Sequence, residues 1–292
     1  MHHKNTFKAY AAMLAGLIII GFSAILIKSA EAPGLITAFY RVFIASLVLI
    51  MPFLLKWRKV VAIPTKGIVM AILGGVAFGF DTALWSTAIE ISNATIPTLM
   101  ANLAPLWVGF GAMLFFKEKQ KKGFWIGLTI TLAGILLMVS HSYISKDGLL
   151  VSIVLSLIAG MFYGTYYLIT QKGRQLMNTL QYLSITSFSA ALILGVIVGF
   201  SDYNFTGYSD KTWIIYLVYG IGIHVIGWTL INYAQGYLRA TTVSPTLLGQ
   251  PVLTAFFAWL ILGESLSVWQ ISGGIVVFAG IYVVNYSRLK QR

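Results

Sequence analysis

The sequence predicts an all-α membrane protein: ten transmembrane helices, built as two inverted five-helix repeats, with both termini cytoplasmic. Three observations predict it. The 292 residues are 58% hydrophobic and only 10% charged, with a mean hydropathy of +0.85, whereas a soluble domain carries about 25% charge. Apolar runs long enough to span a bilayer as helices recur along the whole chain. The chain also repeats itself half a length later.

The runs fall at about 9–29, 35–55, 66–88, 94–116, 122–141, 148–170, 179–200, 212–236, 241–262 and 267–287. Each is continuous rather than alternating, which excludes a transmembrane barrel. The first lacks a small-residue cleavage site behind it, since Lys28-Ser29-Ala30-Glu31 follows, so it reads as a retained helix. His2 and His3 are expected in a disordered terminus. Connections are short, and no soluble domain is inserted.

The repeat is clearest between Thr95–Gly134 and Thr241–Gly280. Thr95 aligns with Thr241, Pro105 with Pro251, Glu118 with Glu264, Gly127 with Gly273 and Gly134 with Gly280, without a gap. Apolar composition alone does not readily place a proline, an acid and two glycines in one register. The units are expected at 1–143 and 144–292. A half-length repeat in an apolar chain marks a transporter assembled from two copies of one unit.

Net charge is +12, and its placement sets orientation. With the N-terminus inside, Lys4, Lys8, Lys56, Arg58, Lys59, Lys66, Lys117, Lys119, Lys121, Lys122, Lys172, Arg174, Arg239, Arg288, Lys290 and Arg292 lie inside. Lys28, Lys146 and Lys211 lie outside, and Arg41 is within a span. This is the positive-inside pattern, so the basic excess is a topology signal and nucleic acid is rejected as a partner. Five spans per copy give the second copy the opposite orientation. Two such halves can exchange conformations around a cavity that opens to each side in turn.

Several stretches then resemble a known family. Pro251…Gly263-Glu264-Ser265-Leu266-Ser267…Gln270…Gly273…Gly280, Tyr233-Ala234…Leu238-Arg239-Ala240, the Arg41 stretch Tyr40–Ala45, and Gly21-Phe22-Ser23 to Lys28 are similar to the ten-helix EamA-type exporters of the drug/metabolite transporter superfamily. The resemblance covers essentially the whole chain. It implies export of small metabolites across a bacterial inner membrane through a cavity lined by helices one, three, four, six, eight and nine. Amino acids are the best single cargo guess, with an importer or exchanger of a vitamin or nucleotide-like cofactor as the alternative. One departure is Lys117, where the second repeat has Gly263, so the sequence leaves open whether the inner turn is as tight as the outer one.

The residues offer candidates for the path. Asp81 and Arg41 are full charges inside spans, at matching depths that make an ion pair plausible. Trp85, Thr98, Asn102, Tyr163, Tyr167, Trp228, Asn232 and Gln250 supply amide, hydroxyl and aromatic groups for cargo. Pro105 and Pro251 each remove a backbone N–H within a span and are read as bending or gating positions. His224 could couple transport to protons, or stay a neutral core histidine, the commoner case. Glu118 and Glu264 are expected to take up turn N–H groups or basic partners. Gly75/Gly79, Gly123/Gly127, Gly160/Gly164 and Gly195/Gly199 read as close helix packing. The expected partners are a small-molecule substrate, the bilayer and possible coupling protons. No cofactor, no metal and no enzymatic chemistry is expected: there is no cysteine, no phosphate-binding Gly-Lys-Ser/Thr loop and no metal-spaced cluster.

Overall fold

A computed structural model describes residues 2–55, 63–91, 100–140, 148–263 and 265–289. Every regular element among them is helical, as a chain with apolar runs of this length requires, because only internal hydrogen bonds satisfy the backbone in lipid. In order they are α1 His2–Gly21, α2 Ser23–Ser29, α3 Gly34–Leu55, α4 Thr65–Ile91, α5 Ala104–Phe116, α6 Lys122–Val139, α7 Leu149–Leu176, α8 Thr179–Gly199 and α9 Asp210–Val218. A π-helical segment, Tyr219–Gly227, leads into α10 Trp228–Gln235, followed by α11 Ala240–Leu247, α12 Gln250–Leu262 and α13 Val268–Leu289. α1 already starts at His2, so the terminus expected to be disordered is helical there.

Nine described segments are long and apolar enough to cross a membrane, and α5 is a shorter apolar helix. Four of the expected spans contain features that the runs do not reveal. The first breaks at Phe22, and the ninth breaks at Leu248-Gly249. The eighth widens into π turns. The fourth breaks at Asn102-Leu103; its described part begins at Met100, so Thr98 and Pro97 lie outside the described residues, as does Glu264.

Pro105 and Pro251 each stand second in a helix, in α5 and α12, rather than within a continuous one. A proline there gives up only an N–H that has no helical partner. Each thus restarts a helix after a break. α5 and α12 also end alike: Lys117 has φ 54°, ψ 28° and Gly263 has φ 68°, ψ 18°. Their N–H groups reach back to the Ala112 and Ala258 carbonyls. Lys117 therefore makes the same tight left-handed cap that glycine makes in the second copy.

α6 packs antiparallel along α13 through glycines. A methyl group at Gly127 would lie 2.7 Å from Val284 N and 2.8 Å from Gly280 O; one at Gly134 would lie 2.6 Å from Val277 N and 2.8 Å from Gly273 O. The backbones touch at both points. Gly280→Leu is therefore expected to destabilise the fold by about 1–3 kcal/mol or more through overpacking. Gly199→Ala, at a site with nothing within 4 Å, should leave thermal unfolding in detergent nearly unchanged. Gly199 is thus not the close-packing position the sequence suggests.

The main core lies among α1, α3, α4, α5, α7, α8, α9, the π segment, α10 and α11, and a smaller one joins α6 to α13. At one end of the bundle Glu90 accepts from Leu35 N at 3.4 Å and from Tyr203 Oη at 2.6 Å. Above all, that second bond pushes Tyr203 up to about 12. Its contribution is present below the ordinary tyrosine value and is lost as pH rises through about 12.

Candidate functional site

Polar and aromatic groups from five elements meet in the main core. α3 contributes Arg41, and α4 contributes Phe78 and, one turn on, Asp81. Tyr163, Tyr166 and Tyr167 project from one stretch of α7. The π segment supplies Tyr219 and His224, and α10 supplies Trp228 and Asn232 at an i, i+4 spacing. A π segment here fits the tendency of such turns to occur at functional positions.

Phe78 is the hub. Its ring centroid lies 5.1 Å from Tyr166, 5.0 Å from Trp228 and 5.7 Å from His224. The Arg41 guanidinium sits 5.6 Å from the Phe78 centroid and 5.2 Å from the Tyr219 centroid. Arg41 Nη1 donates to Tyr219 Oη at 3.1 Å. Tyr167 Oη donates to Tyr163 Oη at 2.6 Å. His224 Nε2 and Ser187 Oγ are 3.0 Å apart.

Several polar groups here have no partner. Arg41 Nε and His224 Nδ1 are buried without a hydrogen bond. Asp81 is only 9% exposed and makes no hydrogen bond or ion pair among the described residues. The ion pair expected between Asp81 and Arg41 is not formed. Arg41 leans on aromatic faces instead.

Next to the cluster, side chains tie several helices together at one end of the bundle. Asn232 Nδ2 donates to Tyr166 Oη at 3.1 Å and to Trp228 O at 2.9 Å. Arg174 donates through Nε to Asn232 O at 2.9 Å, through Nη2 to Thr179 Oγ1 at 2.7 Å, and through Nη1 to Met177 O. Gln171 Nε2 donates to Glu118 Oε1 at 3.2 Å, while its Oε1 accepts from Ala240 N at 2.6 Å. Glu118 also faces Arg239 at 3.6 Å. Side chains from α7 thus join α8, α10, the start of α11 and the α5–α6 turn.

Of the residues singled out from sequence, Arg41, Asp81, Tyr163, Tyr167, His224, Trp228 and Asn232 come together. Trp85 is half-buried one turn beyond Asp81. Asn102 lies in the turn before α5, its Nδ2 buried without a partner. Gln250 Nε2 donates to Ile20 O at 3.3 Å, bracing α12 on α1. Sequence reasoning missed Phe78, Tyr219 and Gln171. The one available signal was that Phe78 shares a helix face with Asp81.

A family model described as the EamA-like transporter family matches residues 7–140 and 150–286. The chain belongs to the EamA-like transporter family. It is 26% identical over 302 residues to an uncharacterized transporter of Clostridium kluyveri, covering 96% of this chain and 95% of that protein. It is 23% identical over 284 residues to the pseudopaline exporter CntI of Pseudomonas aeruginosa, with 96% of each covered. A riboflavin transporter, ImpX of Fusobacterium nucleatum, is 25% identical over 68% of each chain. A solved structure described only as the crystal structure of a protein superimposes with a TM-score of 0.81 at 15% identity, covering 99% of each chain. That likeness concerns the fold alone. This EamA-like chain is thus a multi-pass membrane transporter.

Proposed function

We propose that the chain is a secondary transporter of the bacterial inner membrane that exports small amphipathic metabolites, amino acids or related compounds, by alternating access. In this reading ten spans form two inverted five-helix units, 1–143 and 144–292, with both termini cytoplasmic. Supporting it are the two stretches matched by the family model, the like caps at Lys117 and Gly263, and the glycine contacts of α6 and α13. There Gly127 meets Gly280 and Gly134 meets Gly273. Each copy's first glycine faces the other copy's second, as a twofold axis between the helices requires.

The observation that carries the function is the central cluster: buried polar groups without partners, ringed by aromatic faces, where helices of both halves converge. Intramembrane ionisable residues are functional-site candidates by default. In this reading the ties at Arg174 and Gln171 brace the end assigned to the cytoplasm, and Glu90 with Tyr203 braces the opposite one. Similarity to the exporter CntI favours export; similarity to the riboflavin transporter ImpX keeps an importer or exchanger of a vitamin or nucleotide-like cofactor as the alternative. Counterflow in proteoliposomes against amino acids, purines and vitamins tests the reading. Saturable flux of one class is expected, and no flux of any solute would refute it. Coupling to protons is assigned to His224. His224→Gln is expected to flatten the pH dependence of flux, and an unchanged profile would remove protons from the reading.

A further inference from the structure

We propose that Arg41 and Asp81 are opposite poles of one cargo subsite, which selects molecules carrying both a cationic and an anionic group. The inference rests on the transporter reading and specifies its cargo.

A half-buried arginine and a buried aspartate in one core would ordinarily pair. Here they do not. Arg41 is held back by Tyr219 Oη and by the faces of Phe78 and Tyr219. Its enclosed Nε has no hydrogen-bond partner and so keeps a donor to spend once the surrounding side chains make room for an acceptor. A guanidinium with an unspent donor suits a carboxylate or similar oxyanion. His224, edge-on to the same Phe78 ring, leaves Nδ1 unpartnered nearby.

Asp81 is the other pole. It is nine-tenths buried, unpaired, and not among the fully enclosed polar atoms that lack a hydrogen bond. Its carboxyl group therefore keeps a little accessible surface, and an ammonium group is the partner it lacks. Tyr163, Tyr166 and Trp228 pack edge-to-face in the same cluster and are chemically suited to an apolar body or to the cation's flank.

The arrangement discriminates in both directions. A simple amine meets Asp81 but is repelled by Arg41. A simple acid meets Arg41 but is repelled by Asp81. Only a dipolar molecule satisfies both poles, and either one-ended analogue leaves a buried charge unmatched, which is how polar sites reject isosteres.

The test uses the purified full chain in lipid nanodiscs and matched probe trios. One trio is phenylalanine, phenethylamine and 3-phenylpropionate; the other is leucine, isoamylamine and 4-methylpentanoate. Binding is read by calorimetry. For at least one trio the zwitterion is expected to bind at least about tenfold more tightly than both its analogues, a discrimination within reach of one unmatched polar group. Asp81→Asn should then narrow the gap to the acid, and Arg41→Gln the gap to the amine. An amine or acid that equals its zwitterion overturns the proposal, and so does failure of every zwitterion to bind. Equal weakening of all three probes by each variant also overturns it. The wild-type comparison decides the matter even if a variant fails to fold. Flux of an amine or acid without preference for the zwitterion would end this inference but leave the transporter reading standing. Absence of flux for every solute would end the transporter reading itself.

Discussion

Phe78→Ala is expected to lower stability by about 3–5 kcal/mol and to abolish measurable transport. The ring is 4% exposed, and truncating a buried phenylalanine leaves a cavity that close-packed neighbours fill only in part. The neighbours here are functional. Arg41, Tyr166, His224 and Trp228 all lean on this one ring. Phe78→Leu separates the two effects. Leucine restores most of the volume but presents no electron-rich face to the guanidinium, a contact of about 0.5–2 kcal/mol. The leucine variant should therefore melt close to wild type while flux falls severalfold. Thermal unfolding and proteoliposome flux, measured on the same preparations, check both. Normal transport by the alanine variant would remove Phe78 from the site.

Arg174→Lys is expected to be nearly as damaging as Arg174→Ala. The guanidinium serves three acceptors on diverging directions: Asn232 O, Met177 O and Thr179 Oγ1. A hydrogen bond to a charged group contributes about 1.5–3 kcal/mol, so removal should destabilise by about 3 kcal/mol or more. A lysine ammonium is a compact point charge on a flexible stem and cannot reproduce the planar fork. The expected signature is a melting temperature several degrees lower in both variants. Because Asn232 O belongs to the residue that holds Tyr166, cargo affinity should also weaken. A lysine variant that melts like wild type would show that charge alone, not fork geometry, ties this end.

The bundle was legible because lipid leaves few options. Long apolar runs have to be helices, and charge placement and glycine spacing follow simple rules. The 146-residue register even aligns Gly127 with Gly273 and Gly134 with Gly280, four residues at which the backbones of α6 and α13 come close. The site was legible only in part. Asp81, Arg41 and His224 are conspicuous as ionisable residues in apolar runs. Their relation is not, because an arginine near a carboxylate in depth can still prefer aromatic faces, and that choice depends on Phe78 and Tyr219, far apart in sequence. Interruptions were hidden for a similar reason. Phe22 and Leu248-Gly249 look like ordinary members of their runs, and nothing in Tyr219–Gly227 announces π turns. Pro105 and Pro251 were visible, but their place in the first turn of a new helix depends on breaks that composition does not mark. Gln171 looks like any polar residue near a helix end, yet its side chain bridges two connections more than fifty residues away in sequence.

The account depends on two copies facing opposite ways, and the chain's lack of cysteine makes this directly measurable. Lys119 and Ser265 are repeat mates, both exposed, in the turns after α5 and α12. Single variants Lys119→Cys and Ser265→Cys are treated in intact cells with a membrane-impermeant thiol reagent. Ser265→Cys is expected to be labelled from outside, and Lys119→Cys only after the membrane is opened. Labelling of both positions from the same side would contradict the inverted architecture.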